Sequence, residues 1–331
     1  MTGSRRAALA ALVLLLGVAP AAAADGTLVP SQKLFTFQGH DVYESSGLVD
    51  RGSIVWTNND SGDQAVIYGV DPRTGRTVEK TKYAGSVSDV EAIAPGSHGT
   101  IWAGDIGDNQ ARRDDVAVYR VTPGHDGDAP TYPLVYPDGP HNAEALLVQP
   151  RTQRVFVVTK SAFGGTVFVA PRDLREGREN RLRPFARVAG LVTDGTFYPD
   201  GRHVLLRTYG TASVYTFPAF ELVGTVTLPA QPQGEGISVS QSGRVLVSSE
   251  GAQTDVLQVG LPASLTEPSR SPVASPSGPP PDTKGPAPMP EDARPARSAG
   301  EWVVIGLVGL VIGGLGWLTL RGSRLRSPRK P

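Results

Sequence analysis

Residues 44–63, Glu44-Ser45-Ser46-Gly47-Leu48-Val49-Asp50-Arg51-Gly52-Ser53-Ile54-Val55-Trp56-Thr57-Asn58-Asn59-Asp60-Ser61-Gly62-Asp63, read as two short strands about a turn. A polar and a small residue run into Leu48-Val49, Asp50-Arg51-Gly52 carries turn chemistry, and Ile54-Val55-Trp56 makes a second strand before an Asn- and Asp-rich loop. The plan returns downstream at Glu91-Ala92-Ile93-Ala94, Glu144-Ala145-Leu146-Leu147, Asp194-Gly195-Thr196-Phe197 and Glu235-Gly236-Ile237-Ser238. Second strands follow at Ile101-Trp102, Val155–Val158, Val204–Leu206 and Val245–Val247, each after a turn rich in Pro, Gly, Asp or Ser. Third strands fit 65–70, 116–121, 165–170, 212–217 and 254–259, and weaker fourth strands fit 78–83, 133–136, 185–189 and 222–228.

Successive starts lie 45, 53, 50 and 41 residues apart. That spacing matches a four-stranded propeller blade. The expectation is an all-β chain, a five-bladed β-propeller over residues 30–261, with six blades or a β-sandwich as the alternatives. The fifth unit lacks a fourth strand, and Lys33–Phe37 near the start of the domain is the segment available to close the ring. No helical period of useful length interrupts this region.

In a propeller the first strand of each blade lines the central channel, so its starting residues gather at one mouth. Here these are Ser46, Glu91, Glu144, Asp194 and Glu235, four of them acidic. Converging carboxylates repel one another unless protons, basic side chains or a cation compensate. Asp89 and His141 lie just upstream of two starts. Asp60-Ser61-Gly62-Asp63 and Asp105-Ile106-Gly107-Asp108 share one D-x-G-D spacing at the ends of second strands, and Asn109 follows the second copy. Later units carry Lys160, Tyr209 and Glu250 at the corresponding end, with Arg207 two residues before Tyr209. Hard oxygen ligands suit Ca²⁺, so Asp60, Asp63, Asp89, Asp105, Asp108 and Asn109 are the candidate metal ligands. Asp and Gly also make plain hydrogen-bonded turns in such loops, and His141 also reads as a polar loop residue. No nucleophile elbow, phosphate loop or dinucleotide fingerprint is present, and no catalytic residue is assigned.

The ends read differently. Arg5 and Arg6, the apolar run to Leu16, and Ala22 and Ala24 make residues 1–24 a secretory signal. Residues 262–299 hold eleven prolines and read as an extended stalk. Trp302–Leu320 is charge-free and long enough to span a membrane as a helix, and the basic tail 321–331 places the C-terminus in the cytoplasm and the propeller outside. The chain has 331 residues, 39 Gly, 29 Pro and no Cys, which excludes disulfides, zinc–thiolate sites and a cysteine nucleophile. Its formal net charge is zero, but residues 25–300 carry 25 Lys and Arg against 31 Asp and Glu, a net −6. That balance argues against nucleic acid as a partner.

Glu44–Leu48 and the loops Asn58–Asp63 and Asp105–Asn109 resemble secreted bacterial β-propellers of the WD40-like, NHL-like, SdiA-regulated and esterase-like-phytase group. The resemblance covers about residues 44–260 and implies a metal at the channel mouth. Regular G-H…W-D blade signatures are absent. The leading reading is a membrane-anchored extracellular binding or sensor module for a protein or a small anionic ligand. The alternatives are a Ca²⁺-dependent hydrolase of a phosphoester or lactone, and a structural interaction protein of the cell envelope.

Overall fold

The structure is a computed structural model that describes residues 26–60 and 64–266. Its first strand is β1 (Ser31–Thr36). Then β2 (Ser45–Asp50), β3 (Val55–Asn59), β4 (Val66–Asp71) and β5 (Arg76–Lys82) form one antiparallel sheet. The second sheet is β6 (Val90–Pro95), β7 (Ile101–Asp105), β8 (Ala117–Val121) and β9 (Thr131–Val135). The third is β10 (Ala143–Val148), β11 (Val155–Thr159), β12 (Gly165–Val169) and β14 (Arg183–Val188), while the two-residue β13 (Asn180–Arg181) between the last two adds to the second sheet as a fifth strand parallel to β9. The fourth is β15 (Asp194–Phe197), β16 (His203–Arg207), β17 (Thr211–Thr216) and β18 (Leu222–Thr227). In the fifth, β19 (Gly234–Val239), β20 (Val245–Ser249) and β21 (Asp255–Val259) take β1 as their outer strand, with Ser31 opposite Val259 and Thr36 opposite Asp255.

The chain is therefore a five-bladed propeller, closed by pairing its first strand with its last blade. Among the described residues the only helical elements are two single 3-10 turns. None is long and apolar enough to cross a membrane. The expected signal segment, most of the Pro-rich stalk, the apolar 302–320 segment and the basic tail lie outside the described residues, as does Asp63.

The core lies between blades rather than within one. Five apolar clusters each join two neighbours. Trp56, Ile67 and Tyr83 of the first blade pack with Ile93, Ile101 and Tyr119 of the second. At the closure Phe35 and Phe37, edge to face at 5.4 Å, pack with Leu48, Val55 and Val70. This explains the blades' mixed strand patterns, since an inner strand with neighbours on both faces is buried throughout, as in β2 and β10. It also explains Gly47, where a Cβ would collide with the Ala92–Ile93 backbone of the next blade.

Polar clasps tie the inner strands together near the axis. Ser46 Oγ donates to the Glu91 carbonyl, and Asn58 Nδ2 donates to the Val90 carbonyl at 2.6 Å while its Oδ1 accepts the Gly47 N–H at 3.0 Å. Blade and neighbour are thus joined by buried bonds whose loss would leave unsatisfied groups.

Candidate functional site

Four of the five inner strands begin with a register irregularity. It falls between Ser45 and Leu48, Val90 and Ala92, Ala143 and Ala145, and Gly234 and Ile237. The residues inside it include Ser46, Glu91, Glu144 and Glu235. An extra residue in one strand breaks the alternation and re-aims a side chain, which is how the same residue of each repeat reaches the channel. β15 departs from this plan. Asp194 pairs in register with Arg207, and its Oδ2 accepts the Ile237 N–H of the next blade at 2.7 Å. All five starting residues are buried.

Among the described residues, Asp60, Asp89 and Glu91 gather their carboxylates closely. One oxygen from each lies within 4.8 Å of the others. Asp60 comes from the end of the second strand of blade one, and its N–H is bonded to the Glu44 carbonyl at 3.0 Å. Asp89 and Glu91 come from the start of blade two. Gly107 passes so close that a Cβ there would strike the carboxylates of both. Asp89 Oδ1 is buried without a hydrogen-bond partner. Burial, then the charge of Asp60, pushes the Asp89 carboxyl up to about 6. Burial and the charges of Glu144 and Asp60 hold Glu91 far above the carboxylate range. Three hard oxygen donors, an orphaned carboxylate oxygen and strong mutual repulsion make a donor set that fits a cation of the Ca²⁺ class, with water completing the coordination.

Beside this cluster stands a cationic element. Lys160 Nζ pairs with Glu144 Oε2 at 3.0 Å and lies 5.2 Å from the centre of the Tyr209 ring. Despite its own burial, Lys160 is held above the usual lysine range by Glu144 and by its contact with Tyr209. The other oxygen of Glu144 accepts from Asn142 Nδ2 at 2.9 Å, and the same amide reaches Asn109 Oδ1 at 3.1 Å. Burial nevertheless raises Glu144.

A third group is deeper. Arg207 is fully buried and donates to the carbonyls of Gly236 and Ser248 and to Gln231 Oε1, each at 2.7 Å. Its Nε, together with Asp194 Oδ1 and Glu235 Oε2, has no partner. Burial lowers the guanidinium to about 10 and raises Asp194 well above its ordinary value. Glu235 is pushed up to about 8 by burial and by Glu144 and Glu250, against the pull of Lys160 and Arg207. Glu250 is pushed up to about 7, and its Oε2 accepts from Gln233 Nε2.

The remaining candidates serve the loops around the mouth. Asp105 accepts the N–H groups of Ser88 and Asp89 at 3.0 and 2.9 Å and pairs with Arg113 at 2.7 Å. Asp108 accepts the Arg113 N–H at 2.7 Å. These two therefore shape the loop that carries Gly107, as hydrogen-bonded turn residues do. His141 bonds Asp138 at 2.9 Å, and its ring packs on Tyr136 and Phe168. Asp60, Lys160 and Glu250 occupy equivalent places, each N–H bonding the residue before its own inner strand. Tyr209 does not share that place. It sits in the β16–β17 turn, beyond the end of its strand. Sequence reading passed over Arg113, which also donates to the Gly107 carbonyl at 2.6 Å and pairs with Asp115 at 2.9 Å. Its signal was the paired Arg112-Arg113 and Asp114-Asp115 just after the acidic loop.

A cavity of about 460 Å³ lies at the opposite mouth, lined by the far ends of the inner strands, including Asp50, Gly96, Ser238 and Ser240. Its carboxylate, Asp50, is already bound by Arg244 in two bonds of 2.7 Å. The carboxylates left without such a partner are at the acidic mouth.

No protein-family model matches the chain, and no curated protein matches it. A solved structure of a gluconolactonase from Xanthomonas campestris is similar at 16% identity, over 71% of this chain and 90% of its own, with a TM-score of 0.45. A likeness at that level assigns neither residues nor activity.

Proposed function

We propose that the acidic mouth holds a divalent cation of the Ca²⁺ class on Asp60, Asp89 and Glu91, and that the propeller is a hydrolase of an ester, of the lactone or phosphoester class. The observation that carries this reading is the convergence of three carboxylate oxygens within 4.8 Å beside a half-buried lysine. A cation bound there would polarise a carbonyl or phosphoryl oxygen. The chain's own residues supply the rest. Lys160 attracts an anionic group and fixes Glu144. Asn142 orients the second oxygen of Glu144. Glu235 keeps its proton at neutral pH, lies within electrostatic reach of Lys160 and Glu144, and can donate to a leaving oxygen. Asp105 and Arg113 hold the Asp89 and Gly107 backbones in place. The overall reaction adds water across the ester bond to give an acid and an alcohol.

The reading includes the topology that the sequence predicts: secretion by residues 1–24, the propeller outside, and a membrane anchor at 302–320. Protease added to intact protoplasts would then remove the propeller and spare the basic tail. A protected propeller would overturn that placement. The activity is tested by assaying the full chain on panels of lactones and phosphoesters, with Ca²⁺ or with chelator. Turnover that requires the ion and is lost in Asp89→Asn supports a hydrolase. Ion binding without turnover on either panel overturns catalysis in favour of a binding or sensing module.

A further inference from the structure

The mouth is chemically lopsided. Its carboxylate cluster belongs to blades one and two. On the side of blades three and four, the loops that frame it expose apolar side chains instead. Phe163, in the β11–β12 loop, is 96% exposed, Leu191, in the link to blade four, 41%, and Tyr209, in the β16–β17 turn, 42%. Single exposed apolar residues need no explanation. These three sit on loops that touch in series. A Cβ on Gly164 would lie 2.5 Å from the Val188 carbonyl oxygen, and one on Gly190 would lie 2.9 Å from Thr208 Cγ2. The Phe163 loop therefore abuts the link carrying Leu191, and that link abuts the turn carrying Tyr209. The turn is itself braced by a 2.8 Å bond between Thr208 and Thr211.

Lys160 joins this apolar sector to the acidic one. It pairs with Glu144 on one side and lies over the Tyr209 ring on the other. Lys160 thus bridges Glu144 and Tyr209, from the same β11–β12 loop that carries Phe163. Of the other strongly exposed apolar residues, Leu28, Val78, Phe185, Leu222 and Val223 lie on outer strands or the leading segment, away from the channel, and Tyr43 lies just before β2 on the blade-one side of the mouth.

We infer that the ligand of this mouth is amphipathic: a carboxyl or ester head at the cation and Lys160, and an alkyl or aryl tail laid on Phe163, Leu191 and Tyr209. Continuity with the mouth and charge complementarity at Lys160 commit the apolar patch to this occupant rather than to a protein partner. The inference deepens the hydrolase reading and rests on it for the ester. The recognition of the tail requires only that the mouth bind the acid product.

The test separates the two. Binding of straight-chain carboxylates from acetate to decanoate is measured by calorimetry on the full chain with Ca²⁺, and turnover of lactones with alkyl side chains of matching length is measured in parallel. Burying a methylene is worth roughly fourfold in affinity. The native chain is expected to bind each longer carboxylate up to about fourfold more tightly until the tail outruns the patch. The double variant Phe163→Ser, Leu191→Ser should flatten that slope, with acetate binding as the reference, and Phe163→Trp should keep it. A flat series in the native chain overturns the inference, and so does a slope that the double variant leaves unchanged. Chain-length-dependent binding with no lactone turnover leaves the tail site standing and removes the lactone as substrate of the hydrolase.

Discussion

Glu235 offers a sharp physical test of the channel's electrostatics. Its side chain is 3% exposed, one oxygen has no partner, and its carboxyl is pushed up to about 8. An unfolded chain returns it to an ordinary glutamate value near 4.5. The folded state therefore holds the proton more tightly. The resulting stability is fully present below about pH 4.5 and is lost as pH rises through about 8. Integrating between pH 6 and pH 9 gives a loss of about 2–3 kcal/mol from this group. Asp89 and Glu250, raised to about 6 and about 7 chiefly by partial burial, act in the same direction, but they are less buried than Glu235 and contribute less through solvent screening. Urea unfolding of the chelator-treated full chain and of Glu235→Gln, at pH 6, 7, 8 and 9, isolates the group. The native chain should weaken by about 2–3 kcal/mol more than the variant across that range. Parallel curves would refute the claim that Glu235 is a buried, proton-bearing carboxyl.

Three further outcomes follow from packing and charge. Phe35→Ala empties a site shared by the first and last blades and should cost about 3–5 kcal/mol in urea unfolding; a loss under about 1 kcal/mol would mean that β1 does not close the ring. Gly107→Ala places a methyl against the Asp89 and Glu91 carboxylates and should abolish any rise in melting temperature on adding Ca²⁺; a retained rise would put the ion elsewhere. Lys160→Met strips Glu144 of its ion pair and should cost about 3 kcal/mol at pH 8 but less at pH 5, where Glu144 can take a proton. Equal losses at both values would show that packing, not charge, is what Lys160 contributes.

The repeat was legible because a blade's inner strand combines a polar start, a small residue and an apolar run, and nothing else in the chain spaces that pattern so regularly. The closing strand was legible by subtraction, since one unit lacked an outer partner while Lys33–Phe37 had no place. The convergence of Glu91, Glu144 and Glu235 was also readable, but the reason for it was not. A one- or two-residue irregularity at each strand start aims them inward, and no residue type signals it in the chain. Asp194 has the same place in the alignment and a different register, so it became a clasp to Ile237. The two D-x-G-D loops look alike in sequence. Asp105 is occupied by backbone N–H groups and Arg113, whereas Asp60 joins Asp89 and Glu91. Such a division depends on which loop faces which neighbour across a blade boundary, a long-range fact that local spacing does not contain.

The cation at the mouth is best tested by titrating Ca²⁺ into the chelator-treated full chain by calorimetry, with Asp60→Asn and Asp89→Asn alongside. The account predicts saturable binding of one ion, a stabilisation of about 2.7 kcal/mol at a hundredfold excess over Kd, and loss of both in each variant. No heat of binding and no change in stability in the native chain would contradict it, and would leave protons and Lys160 as the compensation for the buried carboxylates.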